Sequence, residues 1–112
     1  MTQMKTLDVE IVSSGVNTLE PYGLVKLQLI DVSKADAPSI SLAKLRLRCG
    51  GKMPINLSLT FDTSLIDPRR SYALAARIEI DGQLRYINKN RHSIEPATVS
   101  GTQRVTVDPV TA

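Results

Sequence analysis

The chain has 112 residues, of which 42% are hydrophobic and 22% charged, and its net charge is +3. This length fits a single domain spanning residues 1–112, since domains usually contain on the order of 100 residues. The composition excludes a disordered chain, and no apolar run approaches the ~20 residues of a membrane helix. With no Trp and 4% aromatic residues, we expect an aliphatic core.

Alternation of apolar and polar residues with a period of two dominates the chain and predicts β-strands. The first strand covers Leu7–Val12, where the core is expected to begin, and a loop at Ser13–Tyr22 follows it. The second strand covers Leu24–Val32. A turn at Ser33–Ser39 then leads to a third strand, Ile40–Arg48.

A glycine pair, Gly50-Gly51, is expected to break the chain before a fourth strand with the clearest alternation. In that strand a slip of one residue would move the whole apolar set into water, so its register is fixed. Residues 63–68 predict one short helical turn. Ser64 and Asp67 have the spacing of a capping box there, and Pro68 ends the turn.

A fifth strand, Tyr72–Ile80, and a sixth, Gln83–Asn88, are separated by Asp81-Gly82. This dipeptide, with Gly82 in second place, is typical of a type I′ hairpin turn, in which both central residues have positive φ. A last strand covers Gln103–Asp108. We expect Pro109–Ala112 to be frayed.

About seven short, mostly antiparallel strands without a long helix predict an all-β fold, a single β-sandwich of the immunoglobulin or fibronectin kind. The residues Ile66, Pro68 and Tyr72 are typical of the tyrosine corner of such domains. There the Tyr72 hydroxyl would bond to the backbone a few residues upstream. Plain half-buried packing of Tyr72 is the alternative.

The residues available for chemistry are few. His92 is the only histidine and Cys49 the only cysteine, too few to bind a metal, and no base is identifiable beside Cys49. Asp31, Ser33 and Asp36 are spaced loosely like calcium ligands, but the glycine and terminal glutamate of a calcium loop are missing. We expect them to shape a tight turn, and we predict neither an enzyme nor a cofactor.

Basic residues cluster in the second half of the chain, diluted by two acidic ones. The cluster comprises Arg69, Arg70, Arg77, Arg85, Lys89 and Arg91, with Glu79 and Asp81. Two interpretations remain open: a solvated face, or a docking surface for an acidic or anionic partner. Nucleic acid is not expected, because the stacking aromatic residues of single-strand binders are missing.

Three stretches together resemble the YbaY/YscW family of bacterial envelope lipoproteins: Asp31–Ile40, Pro54–Leu84 and Arg85–Asn90. The resemblance extends over roughly residues 7–96. Its most specific pieces are Asp31-Val32-Ser33 with Ala35-Asp36, Ile66-Asp67-Pro68 with Tyr72, Ala76-Arg77-Ile78 and the Gly82 turn. One branch of this family comprises the lipoprotein chaperones, or pilotins, of type III secretion systems.

The resemblance implies a pilotin that binds the C-terminal segment of a secretin subunit and assists its localisation and assembly in the outer membrane. It also implies a lipid anchor on an N-terminal cysteine, which places the protein at the periplasmic face of that membrane. Cys49 lies in mid-chain and cannot be this anchor, so we expect the chain to begin after it. The alternative is a YbaY-like envelope lipoprotein with a structural or stress-related role.

A pilotin without its anchor is expected to be a soluble monomer that binds its partner in one of two ways. The secretin segment would add a strand to an exposed sheet edge, or lay an amphipathic helix in an apolar groove. The first and last strands are the edge candidates, with Asp8 and Arg104 protecting them. Asp31, Asp36, Asp67 and Tyr72 are expected to shape loops rather than to touch the partner.

Overall fold

The computed structural model describes residues 3–13, 18–33, 40–52, 54–89 and 91–110, with backbone alone for 18–22 and 49–52. Within them lie eight strands and one 3₁₀ turn: β1 Met4–Ser13, β2 Thr18–Asp31, β3 Ile40–Lys52, β4 Ile55–Asp62, the turn Thr63–Leu65, β5 Tyr72–Ile80, β6 Gln83–Ile87, β7 His92–Ile94 and β8 Gln103–Pro109. No helix in this part of the chain has the length and apolarity needed to span a membrane.

The strands form one sheet in the order β3-β2-β5-β6-β8-β1-β4, and β7 pairs with β5 beside this path. The predicted all-β class is confirmed. The predicted sandwich is not, because Tyr86 and Ile87 of β6 pair with Pro109 and Asp108 of β8 and join what would be two separate sheets. The sheet coils into a nearly closed barrel, and the immunoglobulin-like form is not confirmed.

The barrel interior is filled by the alternate apolar residues of the strands, as their period of two requires. Along β4, for example, every second residue from Ile55 to Phe61 is buried and the residues between them are exposed. The core residues come from six strands, β1, β2, β4, β5, β7 and β8: Leu7, Val9, Ile11, Val25, Leu27, Leu29, Ile55, Leu57, Leu59, Phe61, Tyr72, Leu74, Ala76, Ile78, Ile80, Ile94, Val105 and Val107. This is the aliphatic core expected from the composition.

The limits of β2 and β3 differ from the prediction. The predicted loop up to Tyr22 is strand from Thr18, and β3 continues through Gly50-Gly51 instead of breaking there. The reason is the ladder between them: Leu19 pairs with Gly51 and Gly23 with Cys49, with a register shift in between. A bulge of this kind lets glycines stay in a strand.

The 3₁₀ turn lies where a helical turn was predicted, but it is shorter and is capped by a different residue. The Asp62 carboxylate accepts the Ser64 N–H at 2.9 Å and the Ser64 hydroxyl at 2.7 Å. Ser64 is therefore a donor to the cap, and the predicted capping pair of Ser64 and Asp67 does not form. Asp62 is the capping residue because β4 ends at this position. Its carboxylate therefore lies beside the backbone N–H of Ser64 in the first turn.

The predicted edge strands are not edges. The first strand, β1, pairs with β4 on one side and in parallel with β8 on the other, and β8 also pairs with β6 at its C-terminal end. Alternation reveals which face of a strand is buried but carries no information about its neighbours. The strands at the two ends of the sheet are β3 and β4, which contact each other without a described ladder between them.

Two polar side chains hold irregular segments onto the barrel. Asn88 accepts the Ala76 N–H at 2.9 Å and donates to the Leu74 carbonyl at 3.1 Å, so it takes the place of a strand between β6 and β7. The Lys5 ammonium donates to the carbonyls of Pro96 and Val99 at 3.0 and 2.7 Å. This lysine ties the loop before β8 to the start of β1.

The hairpin between β5 and β6 gives the first test. Asp81 and Gly82 have φ values of 52° and 76°, and a Cβ on Gly82 would meet no atom within 4 Å. We expect Gly82→Ala to lower the free energy of unfolding by about 1–2 kcal/mol, the cost of left-handed backbone for a residue with a Cβ. Gly82→Asn should lose less in urea denaturation, because Asn tolerates this conformation. Equal losses would contradict a conformational origin.

Candidate functional site

Tyr72 opens β5 at one end of the barrel and organises the turn before it. Its ring is 4% exposed, and its hydroxyl oxygen accepts the backbone N–H of Asp67 at 2.8 Å. The Asp67 carboxylate in turn accepts the Arg69 backbone N–H at 2.9 Å and its guanidinium at 3.2 Å. These bonds to Arg69, and then the charge of Arg70, lower the pKa of Asp67. The turn is thus fixed at both ends.

Asp31, at the end of β2, lies opposite Tyr72 in the ladder between β2 and β5. Its side chain is 9% exposed, accepts the Ser33 N–H at 2.9 Å and receives the Arg70 guanidinium at 3.0 Å. Hydrogen bonding by Ser33, followed by Arg70, lowers the pKa of Asp31 below its ordinary value of 3.8, against the opposite effect of desolvation. The buried carboxylate is therefore ionised and paired.

Ser33 extends the link between these two strands. Its hydroxyl oxygen accepts the Ser71 N–H at 2.8 Å, and the Val32 N–H donates to the Ser71 carbonyl at 2.9 Å. We call Asp31, Ser33, Asp67, Arg70 and Tyr72 the corner cluster. Of the motif residues singled out in the sequence, Asp31, Ser33, Asp67 and Tyr72 meet here. Gly82 lies away from them in the β5–β6 turn, and Asp36 and the side chain of Cys49 fall outside the described residues.

A cleft of about 420 Å³ opens beside the corner cluster, between the start of β5 and the end of β7. Its lining is mostly polar or charged and includes Arg70, Ser71, Arg91, Ser93 and Glu95. Within the described chain no three His, Cys, Asp or Glu side chains gather as metal ligands would. His92 is half-buried in β7, and its Nε2 lies 3.2 Å from the Gln103 side-chain oxygen.

The most unusual surface is strand β3, an end strand of the sheet. Its inward residues Ala43, Leu45 and Leu47 pair with Leu29, Leu27 and Val25 of β2. Those three β2 residues are fully buried, whereas Ala43 and Leu45 are only half-buried and Leu47 is 43% exposed. The other end strand, β4, buries all four of its inward residues. An apolar row on the core face of β3 is therefore left partly uncovered.

Sequence reasoning did not single out this row, nor did it assign Arg70 to Asp31. Exposure along one edge depends on which strand ends the sheet, which alternation does not reveal. The structure also divides the predicted basic cluster: Arg69 and Arg70 bind carboxylates of the corner, and Arg91 lines the cleft. Arg77 of that cluster shares a surface with the cations of β3, through Lys26.

Comparison with known proteins identifies the family of the chain and a structural neighbour. The family model for YscW, the type III secretion system lipoprotein chaperone, matches residues 2–107. The chain belongs to the YscW family. No curated protein matches the sequence significantly. Among solved structures, an alternative pilotin from the type II secretion system of Vibrio cholerae superposes with a TM-score of 0.88 at 26% identity, covering 98% of this chain and 100% of that one.

Membership of the YscW family confirms the resemblance found in the sequence and assigns the chain to chaperones of a secretion system. The match extends over the corner cluster, the cleft and the β3 row alike. The family model describes lipoproteins, so the match also supports association of this chain with the outer membrane of the envelope.

The tyrosine of the corner cluster gives a direct test of its hydroxyl. Tyr72→Phe leaves the part-buried Asp67 N–H without its acceptor, which costs about 1–2 kcal/mol of unfolding free energy. Urea denaturation should give a lower midpoint with an unchanged slope. Tyr86→Phe, at a half-buried tyrosine of β6, is the matched control and should change the free energy of unfolding by less than Tyr72→Phe does. A Tyr72→Phe midpoint equal to that of wild type would refute the stabilising role.

Asp31 gives a test by pH. Because its pKa is lower in the folded chain than in the unfolded one, its contribution is full above the ordinary value of 3.8 and is lost as the pH falls through the folded pKa. We expect Asp31→Asn to be less stable than wild type at pH 7, with the difference shrinking below pH 3.8. Thermal unfolding measures this. Glu95→Gln, at an exposed carboxylate, is the control and should follow wild type throughout.

Proposed function

We propose that this protein is a pilotin-type chaperone that binds the C-terminal segment of a type III secretion secretin subunit. It assists that subunit in reaching and assembling in the outer membrane. In this proposal the protein acts as a monomer at the periplasmic face, held there by a lipid anchor.

Two findings support the role. The family model describes lipoprotein chaperones of type III secretion systems and matches 106 residues, 2–107. The structural neighbour is a pilotin, and its fold is shared over 98% of this chain and 100% of the neighbour's. That neighbour serves a type II system, so the fold suits pilotins of both systems. The assignment to type III follows the family.

The structural observation that carries the proposal is the partly uncovered apolar row of β3. In the described chain, β3 has a hydrogen-bonded ladder to β2 on one side alone. On its other side it contacts β4 without a described ladder, so backbone donors and acceptors of β3 face the gap between the two end strands. A segment added alongside β3 would gain main-chain hydrogen bonds and would cover Leu45 and Leu47. Exposed edges usually avoid such apolar residues unless something pairs with them.

The second docking mode, a helix in an apolar groove, has less support. An amphipathic helix needs an apolar lining for its anchors. The 420 Å³ cleft offers instead Arg70, Arg91 and Glu95 together with two serines. We therefore place the secretin segment on β3.

Fluorescence anisotropy with a labelled peptide of the C-terminal segment of a secretin from the same organism tests the proposal. We expect binding with a Kd of tens of micromolar or tighter, on the order of 6 kcal/mol. Leu47→Asp should weaken it at least about tenfold, because a charge would enter the covered row. Leu65→Asp, at a leucine of the 3₁₀ turn that is 53% exposed, is the matched control and should bind as wild type does.

The outcomes separate role from surface. A peptide that fails to bind wild-type protein contradicts the pilotin role and favours the YbaY-like alternative, an envelope lipoprotein with a structural or stress-related task. A peptide that binds but tolerates Leu47→Asp keeps the role and moves the site away from β3. Circular dichroism of both variants establishes that the all-β fold is retained.

A further inference from the structure

Strand β3 carries a second row of side chains with a chemistry different from the first. Lys44, Arg46 and Arg48 alternate with the inward apolar residues, and all three are exposed on the outer face of the barrel. The described part of β3 from residue 43 to 48 thus alternates strictly between apolar and cationic positions. Among these positions none is acidic or neutral polar.

The cationic row continues onto the neighbouring strands. Arg46 lies opposite Lys26 of β2, and Lys26 lies opposite Arg77 of β5, so three cations cross the sheet side by side. One carboxylate, Glu79, accompanies them and accepts Lys26 at 2.8 Å. The bond to Lys26, and then the charges of Arg77 and Arg46, lower the pKa of Glu79, which places both arginines within electrostatic reach.

We call Lys26, Lys44, Arg46, Arg48 and Arg77 the basic face. These five cations face one described carboxylate, whereas the net charge of the entire chain is only +3. Lys26, Lys44, Arg46 and Arg77 also line a depression of about 100 Å³ at the surface. Positive charge is therefore concentrated beside the edge at which a partner strand would pair.

We propose that the segment bound at β3 is an acidic strand in which apolar residues alternate with Asp or Glu. This inference rests on the proposed function and names the chemistry of its partner. Neighbouring strands place opposed residues on the same face of the sheet. Inward residues of the added strand meet Leu45 and Leu47, so they must be apolar, and outward residues meet Arg46 and Arg48, so they are acidic.

Charges on an open edge also prevent self-association. Two copies of β3 brought edge to edge would oppose cation to cation, which disfavours pairing between identical chains. An acidic strand turns the same cations into attraction. One row of side chains thus both rejects a second copy and selects the partner, the combination by which specific interfaces discriminate.

Three peptides of equal length provide the probe: alternating valine and glutamate, valine and lysine, and valine and glutamine. With wild-type protein we expect the glutamate peptide to bind at least tenfold more tightly than the lysine peptide, with the glutamine peptide between them. Its affinity should fall as salt is added, since exposed charges are screened. Arg46→Glu should narrow the preference for the glutamate peptide over the lysine peptide, because it removes one cation of the basic face and adds a carboxylate.

Arg91→Glu, which introduces the same charge change at the polar cleft, is the control and should leave the preference unchanged. Amide hydrogen exchange should also protect alternate residues of 43–48 when the glutamate peptide is bound, as strand pairing requires. If Arg46→Glu leaves the preference unchanged, or if the bound peptide is helical, the acidic-strand inference is wrong.

The same variants with the secretin peptide keep this inference distinct from the function. A secretin peptide that binds wild-type protein and Arg46→Glu equally leaves the pilotin role intact and overturns only the acidic strand. If the secretin peptide does not bind at all while the three alternating peptides bind in the expected order, the secretin is not the partner. The preference of the β3 edge for an acidic strand then stands.

Discussion

Strands must pair along both of their edges or leave backbone groups unsatisfied, and this constraint shapes the whole molecule. The chain meets it by coiling one sheet until its end strands, β3 and β4, contact each other. Closure is nearly complete because β1 and β8, from opposite ends of the sequence, pair in parallel in the middle of the sheet. In the described chain β3 and β4 each have a ladder on one side, and the apolar row of β3 is the one that the barrel covers less.

The corner cluster supports the position of the β3 edge, although none of its residues belongs to β3. Asp31 and Ser33 bind the end of β2 to the segment before β5, and Tyr72 fixes the turn that leads into β5. Because β3 is held in the barrel through its ladder with β2, the position of the edge depends on how firmly β2 is held. In the proposed binding mode, the buried carboxylate of Asp31 and its partner Arg70 would therefore act through the rigidity of β2 rather than through contact with the partner.

The sequence pattern predicted the faces of the strands well and their neighbours poorly. Alternation identified the buried residues of β4, and Asp81-Gly82 marked the turn whose backbone has positive φ at both positions. Pairing between residues almost the length of the chain apart, such as Ile11 with Val105, leaves no local signal. Strand β7 was missed for a related reason, since three residues with one buried side chain are too few for a period to be recognised.

The start of β1 is attached to the rest of the barrel more firmly than a chain end usually is. Strand β1 has ladders to β4 and β8. In addition, the Lys5 ammonium donates to the carbonyls of Pro96 and Val99, and the Gln3 carbonyl accepts the Thr63 N–H at 2.9 Å. A pull applied at the N-terminus would run along β1 and load these hydrogen bonds in shear, all at once, instead of peeling them apart one by one. A domain tethered from this end would thus withstand mechanical tension without its first strand being stripped from the barrel.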